Sequence, residues 1–207
     1  MPREIESTIE WRKIVRRSAM SPDRLRSLFQ QACLAINLPG DAAELGVYRG
    51  GSAMLIGTAL RGKRIYAFES FQGLTNLGPN DLRRRTLDER GHAPGDFAIT
   101  KETERRRIRT RLARAGVQLI EGRFPESAAL VADCSFSFAH FDGDTFESAT
   151  AFVRFFYPRL VRGGRMVFDD SGWPATPGVA SALAEASDVI RSPIVKIGQF
   201  QALVVKE

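Results

Sequence analysis

At 207 residues, 43% hydrophobic and 26% charged, the chain has the size and composition of one folded domain and the profile of neither a disordered nor a membrane-spanning protein. No apolar run approaches the roughly 18 residues of a membrane span. The opening MPREIESTIEWRKIVRRS has no apolar core for a secretory signal, and Glu4, Glu6 and Glu10 interrupt any transit-peptide pattern. The net charge of +6 raises a polyanion partner, but much of the excess lies in LRRRTLDER (82–90) and KETERRRIRTRLARAG (101–116). The second reads as an amphipathic helix with Ile108, Leu112 and Gly116 near one face, so a solvated helix surface is expected and nucleic acid is not.

In chain order, SPDRLRSLFQQACLAINL (21–38) predicts a helix with Ser21 as N-cap and Pro22 at its first position, stopped by PGD. AAELGVYRGGSAMLIGTAL (42–60) predicts a strand, a Gly-rich turn and a helix, and KRIYAFES (63–70) a second strand. Residues 71–100 carry turn signals and little periodicity, which predicts a long loop over a site. After the basic helix come a strand at 117–122, a short helix near PESAALVA, and a strand at 136–142. A helix at 145–160 ending near Pro158, a strand at 165–170, a helix at 178–190 and a terminal hairpin at 194–207 around Gly198 complete the chain.

Alternating strands and helices imply an α/β, Rossmann-like fold: a mostly parallel twisted sheet with helices on both faces, closed by a C-terminal antiparallel hairpin. The expected organisation is a single domain over residues 1–207, with a helical segment over 1–40 and the ligand-binding core over 41–207. Cys33 and Cys134 are distant and lack metal-ligand spacing, which reads as two reduced, buried thiols in a cytoplasmic protein.

In such a sheet, ligands sit at the carboxyl ends of the strands where the strand order reverses. Acidic residues gather at those ends: Glu69, then Asp142 in HFDGDTFES, then Asp169 and Asp170 in GGRMVFDDSG. The turn ELGVYRGGS (44–52) lacks the GxGxxG spacing of dinucleotide sites. Glu44 ahead of Gly46 would repel a pyrophosphate and suits a cationic group such as the amine of S-adenosylmethionine. Glu69, at the next strand end, is placed to accept hydrogen bonds from two ribose hydroxyls.

AELGVYRGGSA, YAFESFQGL, GDFAIT, EGRFPES, HFDGDTFES, YPRL, GG and DD occur in this order. Together, from about Ala42 to Ala186, they resemble the macrocin O-methyltransferase family, S-adenosylmethionine- and magnesium-dependent enzymes that methylate sugar hydroxyls of natural products. FESFQGL and DGDTFES are the distinctive blocks. The wider kinship is with catechol O-methyltransferase-like enzymes. The resemblance implies that Glu44, Gly46, Tyr48 and Ser52 line the methionine end and that Glu69 holds the ribose. Gly122, Arg123 and Phe124 would lie near the adenine, with Val47, Ser70 and Asp142 completing the cofactor-binding set.

Asp142, Asp169 and Asp170 are then the expected magnesium ligands, since that ion takes hard oxygen donors and relieves the repulsion among carboxylates. Catechol-type enzymes place a lysine base three positions after the first metal aspartate, where this chain has Thr145. Asp142 is the candidate catalytic base, Asp144 the local alternative, His140 a packed strand histidine and His92 a loop bystander. The segment before the core is short, and in the family it helps form the acceptor lid and the oligomer. Trp173, Pro174 and Pro177 stand where the family has a Tyr-rich start. The resulting expectation is metal-assisted O-methylation of a small hydroxylated acceptor by a protein that forms homo-oligomers. A polyanion methyltransferase and a non-catalytic cofactor-binding partner are the competing readings.

Overall fold

The computed structural model describes residues 9–75, 77–82 and 92–207. Its strands are β1 (Asp41–Leu45), β2 (Ile65–Glu69), β3 (Val117–Glu121), β4 (Phe136–Phe141), β5 (Leu160–Phe168), β6 (Ile194–Ile197) and β7 (Gln201–Val205). They form one seven-stranded sheet in the order β3-β2-β1-β4-β5-β7-β6. The pairs among the first five strands are parallel, and β7 runs antiparallel to both β5 and β6. The terminal hairpin and the mixed sheet thus match the sequence reading. The order reverses between β1 and β4, which opens the crevice at their carboxyl ends.

The helices are α1 (Trp11–Val15), α2 (Pro22–Cys33), α3 (Gly51–Ala59), α4 (Glu102–Arg114), α5 (Phe146–Arg159) and α6 (Pro177–Glu185). Ser21 caps α2 as expected, accepting from the Arg24 amide. The helix nevertheless ends at Cys33, not at 38, because the chain must turn to feed Asp41 into the sheet centre. The Lys63 ammonium holds that turn through the Leu38 and Gly40 carbonyls. The short α1 escapes sequence reading because its window is mostly charged. Trp11 packs edge-on against Phe29, and the Arg17 carbonyl accepts from the Gly51 amide.

One face of the sheet buries Ala43, Phe68, Phe141, Phe168 and the phenylalanines of α5; the other buries Ala42, Phe138 and Val167 beneath α2, α3 and α4. Residues of β1 and β4 are buried on both faces, as central parallel strands require. Cys33 and Cys134 form no disulfide and are half-buried instead of buried. Part of the charge on α4 is engaged by intramolecular contacts. Arg109 pairs with Glu102 and Glu121, Arg49 with Glu104, and Arg105 reaches the Ile99 carbonyl. The other basic run, 82–90, lies outside the described residues apart from Leu82. Among the described residues no helix is long and apolar enough to cross a membrane.

Candidate active site

A cleft of about 690 Å³ opens over the carboxyl ends of β1, β2, β4 and β5. Gly46, Tyr48, Glu69, Ser70, Gly122, Arg123, Phe124, Asp142, Asp169 and Asp170 all line it. The turn after β1 fits only glycine at position 46, where φ is +90° and a Cβ would lie 2.0 Å from the Asp142 carbonyl oxygen. That close approach locks the Gly-rich turn to the acidic turn after β4. The Asp142 amide donates to the Leu45 carbonyl at 2.8 Å and closes the same junction.

Glu69 is held by three backbone amides. Its Oε2 accepts from Val47 at 3.0 Å and Tyr48 at 2.8 Å, and its Oε1 from Phe71 at 2.7 Å. Val47 therefore enters the site through its amide and does not itself line the cleft. Charge-assisted bonds of this kind fix a carboxylate firmly while leaving further acceptor capacity on each oxygen.

Two predicted residues lie elsewhere. Glu44 is fully buried, and its Oε1 sits 2.9 Å from Nδ1 of the equally buried His140, its register partner on β4. The other oxygen of Glu44 and Nε2 of His140 have no hydrogen-bond partner among the described residues. Ser52 is also buried, within the first turn of α3. Neither Glu44 nor Ser52 lines the cleft: Glu44 lies on the central strand β1, buried on both faces, and Ser52 is packed within α3. His140 is the packed strand histidine that the sequence suggests. His92 does line the cleft, with its ring against Phe97.

The acidic set is arranged differently from the sequence expectation. Asp142, Asp144 and Asp170 each bring a carboxylate oxygen within 4.8 Å of the others. Asp169 is turned aside: its Oδ1 accepts from Gln201 at 2.9 Å and its Oδ2 from Arg24 at 2.7 Å. The same Arg24 nitrogen reaches Asp170 Oδ1 at 2.5 Å, and its guanidinium lies over the Trp173 ring at 5.1 Å. Asp144 and Asp170 adopt positive φ, +61° and +57°, a costly conformation that Asp tolerates and that gathers at functional sites. Thr145, at the position of the catechol-type lysine, is the N-cap of α5.

Crowding sets the electrostatics. Burial, then the charges of Asp169, Asp144 and Asp170, pushes Asp142 well above the usual carboxylate range. Burial and Asp170 do the same to Asp144. Asp169 is pushed up to about 6 by burial and by Asp170, against the opposing pull of Arg24. An acid whose folded pKa exceeds its unfolded value binds its proton more tightly when folded. The stabilisation is complete below the unfolded pKa near 4 and is lost as pH rises through the folded value. We therefore expect the melting temperature of metal-free protein to fall as pH rises from 5 to 7.5, measured by calorimetry in chelator. A flat or rising curve would refute the raised pKa values.

Sequence comparison agrees with this geometry: the macrocin O-methyltransferase (TylF) family matches residues 16–204. The chain belongs to that family. The demethyldecarbamoylnovobiocin O-methyltransferase of Streptomyces niveus is 29% identical over 143 residues, 65% of this chain and 53% of its own length. The 8-demethyl-8-(2,3-dimethoxy-alpha-L-rhamnosyl)-tetracenomycin-C 4'-O-methyltransferase of Streptomyces olivaceus is 30% identical over 153 residues, 68% of this chain and 56% of that protein. The chain thus spans about half the length of these curated relatives. In fold, the solved structure of the O-methyltransferase NovP superposes with a TM-score of 0.73 at 24% identity, covering 92% of this chain and 82% of that one. The class I O-methyltransferase fold is thereby shared.

Arg24 and Gln201 are the partners of the acidic set that the sequence reading passed over, and Asp144, offered there only as an alternative base, joins Asp142 and Asp170. Arg24 had a signal: with Leu28 and Ala32 it occupies an i, i+4, i+8 row on the buried side of α2, where an arginine needs a partner. Gln201 carried none, since a polar residue opening an edge hairpin is ordinary.

Proposed function

We propose that this chain is an S-adenosylmethionine-dependent O-methyltransferase that methylates a sugar-type hydroxyl of a natural product, with metal assistance. The observation that carries the reading is the convergence of Asp142, Asp144 and Asp170 on one cleft with the amide-held Glu69 and the Gly46 turn. Family membership supports the reaction class. The tetracenomycin relative is named for a rhamnosyl-bearing acceptor, which supports a glycoside here.

S-adenosylmethionine supplies the electrophilic methyl carbon. The residues on this chain orient the partners. Glu69 is the ribose acceptor, and Gly122, Arg123 and Phe124 form the wall for the adenine. The donor chemistry of the acidic set fits magnesium, which takes hard oxygen ligands and keeps several waters. Asp142, Asp144 and Asp170 would hold the ion, and it would lower the pKa of the acceptor hydroxyl. Asp142 takes the hydroxyl proton on a carboxylate oxygen. Trp173, with Phe200 stacked at 6.0 Å and the Arg24 guanidinium over its ring, lines the cleft beside the acidic set, where a sugar ring would pack.

The deciding experiment loads the protein with S-adenosylmethionine and follows methyl transfer to glycosides, other hydroxylated metabolites and RNA, with and without chelator. Chelator-sensitive product on a sugar hydroxyl is expected. Transfer to RNA alone, or binding without any transfer, would favour the competing readings. Within this reading, Glu69→Ala should weaken cofactor binding by about 1–3 kcal/mol, the range for hydrogen bonds to a charged acceptor. Calorimetric titration measures it, and unchanged affinity would remove Glu69 from the ribose site.

A further inference from the structure

We propose that Asp81 is a positioning residue that latches the segment over the cleft onto the catalytic turn. That segment is closed at its base by three backbone bonds: Leu74 amide to Asp96 carbonyl at 3.0 Å, Gly95 to Leu74 at 2.8 Å, and Ile99 to Phe71 at 3.1 Å. Beyond this base Asp81 supplies an anchor of a different kind. Asp81 is 8% exposed; its Oδ2 accepts from the Gly78 amide at 2.8 Å, within its own turn. Its Oδ1 leaves the segment and accepts from the Phe146 amide at 2.7 Å.

Phe146 is the first residue of α5, so its amide has no acceptor inside the helix. The N-cap Thr145 serves Ser148 and leaves Phe146 to Asp81. A carboxylate at this helix end also meets the positive end of the helix dipole. The bond therefore ties the described residues 77–82, which follow the cleft-lining Gly73 and Leu74, to the first residue of α5, directly after the turn Asp142–Thr145. Asp81 and Asp144 border the same small recess, together with His92 and Thr176. The start of α6 is shaped around the latch. A Cβ on Gly178 would lie 1.8 Å from Asp81 Oδ1 and 2.8 Å from the Phe146 amide nitrogen. Three chain segments meet at one carboxylate, and the third keeps clear of it.

The latch sets the acceptor side of the cleft, which rests on the function proposed above; its existence does not. Amide hydrogen exchange of the cofactor-loaded protein tests the latch directly. Asp81→Ala should speed exchange at Gly78, Phe146 and residues 92–99 at least tenfold while exchange in β4 and β5 stays at the wild-type rate. Asp81→Asn, which keeps one acceptor oxygen and so is the milder variant, should fall between. Gly178→Ala should reproduce the Asp81→Ala pattern by displacing the carboxylate, and adding it to Asp81→Ala should have little further effect. With an active acceptor in hand, Asp81→Ala should raise the acceptor KM about fivefold or more while the cofactor Kd stays within twofold. Unchanged exchange at Phe146 and 92–99, or additive effects of the two substitutions, would overturn the latch. Faster exchange with an unmoved acceptor KM would overturn its positioning role and leave the proposed reaction standing.

Discussion

Arg24→Met is expected to destabilise the metal-free protein by about 3–5 kcal/mol at pH 7.5, the range for removing one partner of a buried ion pair. Methionine is close to arginine in length and keeps the apolar packing of the stem against α2's neighbours, so the loss isolates the charge. In wild type one guanidinium nitrogen lies between Asp169 Oδ2 and Asp170 Oδ1, and the three side chains are 8%, 1% and 7% exposed. Those carboxylates already crowd Asp142 and Asp144. Without the cation, repulsion rises among the four clustered acids, three of them buried, and part of it is relieved by protonation. For a domain of this size the cost corresponds to a fall of about 6–20 °C in Tm. Urea unfolding of the two proteins in chelator measures it. Magnesium should narrow the gap, since a divalent ion supplies the charge that the variant lacks. A loss below about 1 kcal/mol in chelator would mean that other groups neutralise the cluster.

The strands and the rim they build are legible in the sequence because each carries an unambiguous local signal. Apolar runs that end in Glu69, Asp142 and Asp169 can be read as buried parallel strands, and their acidic ends as the functional edge. Gly46 was legible for the same reason: only a residue without Cβ passes within 2.0 Å of the Asp142 carbonyl. What the sequence hides is the division of labour among like residues. Nothing local distinguishes Asp169, which faces Arg24 and Gln201, from Asp144, which joins Asp142 and Asp170; that choice depends on residues 145 and 32 positions away. Glu44 was misplaced by the same blindness. Its position ahead of the glycine suggests a ligand contact, but its partner His140 is set by the β1–β4 register, which only the folded sheet defines.

Asp142→Asn should lower kcat by about 100- to 10,000-fold, the contribution of a positioned proton acceptor, while cofactor affinity stays within a few-fold. The change preserves shape, so the 2.8 Å bond from the residue 142 amide to Leu45, and with it the Gly46 junction, should persist. What disappears is a basic oxygen and one of the three converging carboxylates. A neutral amide is a poor magnesium ligand and a worse base, and the two losses can be separated. Asp170→Asn removes charge from the cation site and from the Arg24 pair but leaves the proton acceptor, so raising magnesium should recover part of its activity. Asp142→Asn should recover least, because excess cation cannot restore the proton acceptor. Asp144→Asn belongs with Asp170→Asn if the carboxylate grouping seen here holds the ion, whereas Asp169→Asn should act mainly on stability through its lost bonds to Arg24 and Gln201. Steady-state kinetics of the four variants across a magnesium titration, with cofactor Kd measured in parallel, sorts them. Equal magnesium rescue of Asp142→Asn and Asp170→Asn would strip Asp142 of the base role. Wild-type transfer that survives exhaustive chelation would strip the whole cluster of its metal.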